Sequence, residues 1–511
     1  MSRRSLNLPE FLTLAESKRV LPVIHEVFSG TESPVSVFEK LARETPGAFL
    51  LESAEQGVWS RYSFIGVDVR GTLIQDQRGL VTWNSSSGAS ALPKDFTTPL
   101  SQVGLEALEQ LQGAWNTTLD GIDVPLISGL VGHISWDVVS ELENIDVKVD
   151  VKNPIPRISF AMFRNLVVVD HQEASLLFVS NVFVDGQSGD ELEAAFKNAQ
   201  SEITRMQRVV LQQTEPFLAQ VDFSVEPELV ASQTEVEFLK TVELAKEHVV
   251  RGDVFQVVLS QNFKTEVNVS ALDVYRVLRA LNPSPYMYLI NGQDSLGAYS
   301  IVGSSPEALV TVSGDSVITR PIAGSRPRGK DWDADHALES DLLADRKEQA
   351  EHLMLVDLAR NDLLKVCEPG SVEVTEFMQV HRFSHIMHLV STVEGKLAGE
   401  KSPVDVFRAT FPAGTLSGAP KPRALEIIEK LEPTARGLYG GVCGYFDFAG
   451  NADLAIAIRT ALIRNGSATV QAGAGIVLDS NPKAEFEETK SKARAILRAI
   501  SAANLAERLH S

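Results

Sequence analysis

SQTEVEFLKTVELAKEHVVRGDVFQVVLS, residues 232–260, changes its hydrophobic period part-way along. After the Ser-Gln-Thr-Glu start, Phe238, Val242, Ala245 and Val249 recur at helical spacing until Gly252 closes the run as a C-cap. Residues 254–259 follow at once and are apolar and β-branched, the composition of a buried strand. The same alternation continues downstream. Helices are predicted at about 271–281, 335–366, 402–410, 421–431 and 484–503, and strands at about 297–302, 308–312, 439–448, 454–463 and 468–477. Upstream, residues from about 10 to 210 read as sheet-rich, with β-like runs at 47–51, 166–170 and 176–184, a polar loop at 84–99 and a closing helix at about 189–213. These patterns predict an α+β class, two-lobed, with large mixed or antiparallel β-sheets flanked by helices. At 511 residues the chain exceeds one ordinary core, and residues 214–232 are the best linker, so the expected lobes are 1–215 and 216–511.

Hydrophobic residues make up 44 % and charged residues 22 %, the balance of a folded soluble protein. Lysine and arginine total 47 against 67 aspartate and glutamate, a formal charge of −20, so nucleic acid is a poor partner. No apolar segment follows Ser2-Arg3-Arg4 that would act as a signal or span a membrane, and the cytoplasm is the expected compartment. Cys367 and Cys443 lack metal-ligand spacing, exclude a disulfide framework and read as buried thiols.

Chemistry enters with DRKEQAEHLMLVDLARNDLL, residues 345–364, where Glu348 and Glu351 stand three apart on one helix face. Like charges at that spacing repel. AEFEETKSKARAIL, residues 484–497, repeats the feature with Glu485 and Glu488, Glu487 lying between them. Oxygen-only donors on two helices suit a hard cation such as Mg²⁺ that keeps waters and shares an anionic substrate. Solvated acidic faces, with Glu488 paired to Lys492, are the alternative. His381, His385 and His388 fall at i, i+4 and i+7, which admits a zinc site, one catalytic histidine with bystanders, or core histidines. Glycine-rich segments at 322–329, 413–421 and 472–477 read as turns whose N–H groups would take a small anion, or as ordinary turns after strands.

Taken in order, RGDVFQVVLSQ, GSSPEALV, RPIAGSRPRG, AEHLMLVDLARNDL, MHLVSTVEG, FPAGTLSGAPK, GLYGGVCGYF, IAIRTA and GAGIV, with LLES and RYSFIG upstream, resemble the chorismate-utilising enzymes, most closely the anthranilate synthase large subunits. The resemblance covers most of the chain and implies the chorismate-binding fold, a regulatory N-terminal lobe and a catalytic C-terminal lobe. It implies Mg²⁺ on Glu351 and Glu488, with Glu348 and Glu485 around them. Chorismate's ring carboxylate would lie on that ion and on the backbone of Gly473, Ala474 and Gly475. Tyr439 and Arg459 would hold the enolpyruvyl carboxylate, and Gly324 and Ser325 would line the same site.

The implied reaction is amination at C2 by ammonia with loss of the C4 hydroxyl, then pyruvate elimination to anthranilate. Glu307 matches the general acid, kept protonated by surrounding negative charge. His388 matches the group assisting C2 proton loss, supported by a hydrogen bond from Thr415. Gln256 stands where water-adding relatives carry a lysine, and Ala323 where 4-amino-4-deoxychorismate synthases carry one. That related synthase and a catalytically silent allosteric relative are the competing readings. IAGS replaces the usual IAGT and keeps the hydroxyl.

Nothing in the chain resembles a glutamine amidotransferase, so a separate glutaminase subunit is implied, in a heterotetramer of two large and two small subunits. LLES and NPSPYMYLI resemble the segments that bind L-tryptophan as feedback inhibitor. Leu51, Glu52, Ser53, Pro285, Tyr286, Met287 and Tyr445 are the residues implied there, with Glu52 and Ser53 on the ammonium.

Overall fold

The computed structural model describes residues 6–55, 58–118, 121–151, 153–213, 217–382 and 386–508. Its opening signal is realised closely. Thr234 and Glu237 form a reciprocal capping box on the helix Glu235–Val250, satisfying backbone donors that the first turn leaves open. Gly252 takes φ 77°, a left-handed conformation that glycine adopts without a Cβ clash, and turns the chain into the strand Gln256–Glu266. Ala271–Leu281, Pro403–Thr410, Lys421–Leu431 and Pro482–Asn504 are helices, as their periodicity predicts.

Every pairing between described strands is antiparallel. One series of neighbours runs through both halves. From Gln256–Glu266 it passes to Ser467–Ile476, Thr460–Arg464, Gly297–Ser305 and Tyr286–Asp294. It then crosses to Phe49–Glu52, Tyr62–Gln75, Ile158–Asp170 and Gly129–Ile134. Finally it returns through Val442–Asp447, Ala452–Ile456, Ala308–Ser313 and Ser316–Thr319 to Ile386–Lys396. The two halves therefore interleave. Phe38, Val67 and Phe196 share one apolar cluster with Tyr275, Leu289 and Ile500. The expected linker is not a free tether either, since Val230–Ala231 pairs with Gln256–Glu266 and Ala219–Gln220 with Glu507–Arg508.

Three local expectations are corrected. The predicted helix 335–366 is two helices, Trp332–Ala344 and Arg346–Leu363. Asp345 interrupts it by accepting from the N–H groups of Lys347 and Glu348, which caps the second helix instead of continuing the first. The strand expected at 454–463 splits into Ala452–Ile456 and Thr460–Arg464, with Arg459 between them at φ 48°. The histidine spacing is not helical. Glu373–Arg382 and Ile386–Lys396 are paired strands with His381 opposite His388, and His385 lies outside the described residues. No helix among the described residues is long and apolar enough to cross a membrane.

Candidate active site

A cavity of about 360 Å³ gathers most of the singled-out residues, including Gln256, Glu307, Gly324, Ser325, Glu348, Glu351, His388, Thr415, Tyr439, Arg459, Gly473, Gly475, Glu485 and Glu488. They arrive from strand ends and two helix starts separated widely in sequence. Long-range pairing makes the site.

Glu307 follows Gly297–Ser305, and its own carbonyl accepts from Ile456 N–H at 2.9 Å, which fixes the turn. Loss of water around the carboxyl raises its pKa to about 7, while Thr415, Lys492 and Arg459 pull it back. Desolvation is thus the cause, and surrounding negative charge is not. Thr415 Oγ1 donates to Glu307 Oε1 at 2.9 Å, so the hydroxyl steadies the acid rather than His388.

His388 is held by backbone. The strand Ile322–Pro327 slips register between Ala323 and Ser325, and Gly324 takes φ 68° in the slip. Its carbonyl accepts from His388 Nδ1 at 2.9 Å. A carbonyl can only accept, so Nδ1 carries the hydrogen and the neutral ring has its lone pair on Nε2. Desolvation, with Arg459 and Lys492 nearby, lowers the imidazole to about 4. Acid and base therefore coexist in working forms between pH about 4 and about 7.

The acids of both helices face this cavity. Glu348 is raised by desolvation and then by the charges of Glu351 and Asp345. Glu485 is raised by desolvation, with Glu488 adding to the rise. Gln256 Nε2 donates to Glu351 Oε1 at 3.1 Å, and Glu488 pairs with Lys492 at 2.7 Å, as the i, i+4 alternative expects. Among the described residues no three His, Cys, Asp or Glu groups already converge on one point. The donor set fits a hard cation that takes one carboxylate from each helix and completes its shell with water and substrate oxygens. It does not fit a closed, all-protein cage.

The opposite wall suits an anion. Ala472–Val477 is read in sequence as a turn, yet Ser467–Ile476 is a strand whose glycines leave a bare face. A Cβ on Gly473 would stand 2.7 Å from Tyr439 Oη, and one on Gly475 would stand 2.4 Å from Gln256 Nε2. Ala474, between them, is fully buried, sends its methyl into the core and does not line the cavity, unlike the two glycines that flank it. Tyr439 is positioned by Arg436, whose guanidinium lies 5.5 Å from its ring and is itself held by buried Glu432.

Residues 48–498 match the family described as chorismate binding enzyme. Over 510 residues the chain is 48 % identical to anthranilate synthase component 1 of Arthrobacter globiformis, covering 98 % of this chain and 93 % of that one. The chain belongs to the anthranilate synthase component 1 family. The component 1 of Aquifex aeolicus is 41 % identical over 512 residues, covering 98 % of each chain. The crystal structure of anthranilate synthase component I from Streptococcus pneumoniae superposes with a TM-score of 0.73 at 33 % identity, over 92 % of this chain and 99 % of that one.

Lys492 also belongs to the site, although its place in the sequence marks it only as a partner for Glu488. Its Nζ donates to Gly473 O at 3.1 Å and so places a cation beside the glycine strand. The only signal was its spacing from Glu488. Lys347, beside Glu348, and Gln471, beside the glycine-rich segment 472–477, also line the cavity, although neither belongs to the spacing that singles out its neighbours.

The segments singled out for an inhibitor do meet, with Glu52 opposite Met287 and Leu51 opposite Tyr288. Alternation across the strands divides them. Leu51, Tyr286 and Tyr445 share one apolar cluster, whereas Met287 belongs to the cluster on the other side. Glu52 is also on that other side and 4 % exposed. Its carboxylate accepts from Arg279 at 2.9 and 3.1 Å and from Tyr275 at 2.7 Å, so it is committed to the protein and is not an open ammonium ligand. Ser53 and Pro285 flank the same ends of the two strands.

Proposed function

We propose that this chain is the chorismate-aminating subunit of an anthranilate synthase in L-tryptophan biosynthesis, working in the cytoplasm. One observation carries the reading: the carboxyl of Glu307, which burial raises to about 7, and the imidazole of His388, which burial lowers to about 4, face the same cavity beside a wall of cations and bare backbone. Tyr439, Arg459 and Lys492, with the backbone around Gly473 and Gly475, orient a dicarboxylate. A guanidinium on a carboxylate gives bidentate geometry. Ammonia then adds at C2 as the C4–O bond breaks, and Glu307 gives its proton to the departing hydroxyl, which leaves as water. In the second stage His388 Nε2 takes the C2 proton as the bond to the enolpyruvyl oxygen breaks, releasing pyruvate and an aromatic ring. Gln256 offers no base for water, which favours the amine product.

Glu351 and Glu488 would hold Mg²⁺, with Glu348 and Glu485 beside them. The ion, when bound, supplies positive charge to a substrate carboxylate. Ammonia comes from a glutamine amidotransferase subunit, which fits a family named for its first component, in an assembly of two large and two small subunits. The test is direct: chorismate, Mg²⁺ and an excess of ammonium salt near neutral pH give rising anthranilate fluorescence. No rise above a blank without protein overturns the proposal.

Two further results follow from this reading. His388→Ala slows elimination more than amination, so the aminated dihydro intermediate accumulates and is caught by quench and chromatography. A raised KM with unchanged turnover contradicts that role. For feedback inhibition, a tryptophan bridging Leu51, Ser53, Pro285, Tyr286 and Tyr445 would favour an arrangement with poorer chorismate affinity. Ser53→Arg then raises the inhibition constant by at least about tenfold, ~1.4 kcal/mol, with uninhibited turnover retained. Linkage requires chorismate to weaken tryptophan binding by the same factor, measured by calorimetry. Unchanged inhibition in Ser53→Arg places the inhibitor elsewhere.

A further inference from the structure

Glu307 belongs to two cavities. Besides the substrate cavity, it lines a separate pocket of about 60 Å³, and Thr415 stands in the shared wall with it. The pocket has room for only a few waters, each water claiming about 30 Å³ of liquid volume. Its lining is polar where it needs to be. Thr319 is 6 % exposed, and its hydroxyl lacks a hydrogen-bond partner among the described residues. Asp362 also lines it and is held by Lys421 at 2.6 Å and Lys365 at 3.0 Å. Arg320, exposed, and Ala359, half-buried, carry the lining outward to solvent. A buried orphan hydroxyl beside a water-sized space is the setting in which ordered water completes the hydrogen bonds.

The chemistry proposed above supplies a use, and the inference rests on that reading. Each amination forms a C2–N bond and breaks the C4–O bond. The Glu307 proton leaves on the hydroxyl as water, so the acid ends the step as a carboxylate. The aminated ring then lies on the substrate side of Glu307, and the rear pocket is a second approach to the same residue. We propose that the pocket behind Glu307 is a water-filled route through which solvent returns a proton to this acid between turnovers. Thr415 fixes Oε1 by donating to it at 2.9 Å, which leaves Oε2 to carry the acid proton. Water ordered on Thr319 delivers the replacement, and the proton shed by the added nitrogen balances it in the medium. Arg459 and Lys492 line the substrate cavity with Glu307, and their charge favours its carboxylate form.

The route can be blocked without touching the substrate cavity. Ala359 lines the rear pocket, and Ala359→Met fills it from the helix Arg346–Leu363. Rapid-quench measurement of chorismate consumed per site, with ammonium as donor, separates the first turnover from later ones. The first turnover uses acid that was protonated beforehand and proceeds at the parent's rate. Later turnovers fall about tenfold, giving a burst of one equivalent, with KM falling in step so that kcat/KM is kept, and a larger slowing in D₂O. Thr319→Val keeps the volume and removes the hydroxyl, and it gives a smaller burst of the same kind. It decides the matter by itself if Ala359→Met does not fold. The route is overturned if the variants turn over like the parent, or if the first turnover slows as much as the rest. A parent that makes no anthranilate at all instead removes the amination reading, a distinguishable failure.

Discussion

Glu307→Gln lowers turnover by about 10²–10⁴-fold, with KM for chorismate within about threefold of the parent. The amide keeps the shape and the hydrogen bond from Thr415 but has no proton to give the departing hydroxyl. The enclosing protein raises the carboxyl to about 7, against the pull of Thr415, Lys492 and Arg459. A raised acid is protonated below that value and loses its proton above it. At a fixed concentration of free ammonia, kcat/KM of the parent therefore falls as pH rises through about 7. The acidic limb falls where His388 becomes charged, near 4. In Glu307→Gln the alkaline limb disappears with the activity. A variant with full turnover, or one whose alkaline limb is unchanged, removes Glu307 from the chemistry.

Glu351→Gln and Glu488→Gln each abolish Mg²⁺-dependent anthranilate formation, with ammonium or with glutamine and its glutaminase. The expected loss is about a thousandfold, ~4 kcal/mol, of the order a dication supplies in charge stabilisation. Glu348→Gln and Glu485→Gln cost about 10–100-fold in metal affinity, the usual effect of a residue that orients a ligand. Titration with Mn²⁺ followed by paramagnetic resonance reads binding without turnover. It should show the affinity lost in the first pair and weakened in the second. Full parental activity in excess chelator, or parental Mn²⁺ affinity in Glu351→Gln and Glu488→Gln, contradicts the assignment.

Local chemistry made much of the fold readable. Thr234, Glu237 and Gly252 mark both ends of a helix within a few residues, because caps satisfy orphan backbone groups by short-range bonds. Asp345 carries no such mark in the sequence, since helical periodicity continues across it, and its side-chain bonds to Lys347 and Glu348 reveal the break. The histidine triplet misled for the opposite reason. Spacings of four and three suit a helix, yet MHLVSTVEG alternates toward the core and becomes a strand, with Leu389 and Val393 fully buried.

Site partners were harder still. Thr415 and Glu307 lie 108 positions apart, and nothing local says that their hydrogen bond forms. Nor does LLES announce that Glu52 is taken by Arg279, 227 positions away. The paired acids were visible early because one helix turn repeats on two helices. Their convergence on a single cavity depends on the antiparallel series that joins both halves.

The most direct measurement follows nitrogen into the ring. Chorismate and Mg²⁺ are incubated with an excess of ¹⁵N-labelled ammonium near neutral pH, and the product is examined by NMR. The geometry of Glu307 and His388 around one dicarboxylate site predicts label on the carbon adjacent to the carboxyl-bearing carbon, in anthranilate, with one pyruvate released per label. Label at C4 in a product that keeps its enolpyruvyl group, or no label in any product, contradicts it.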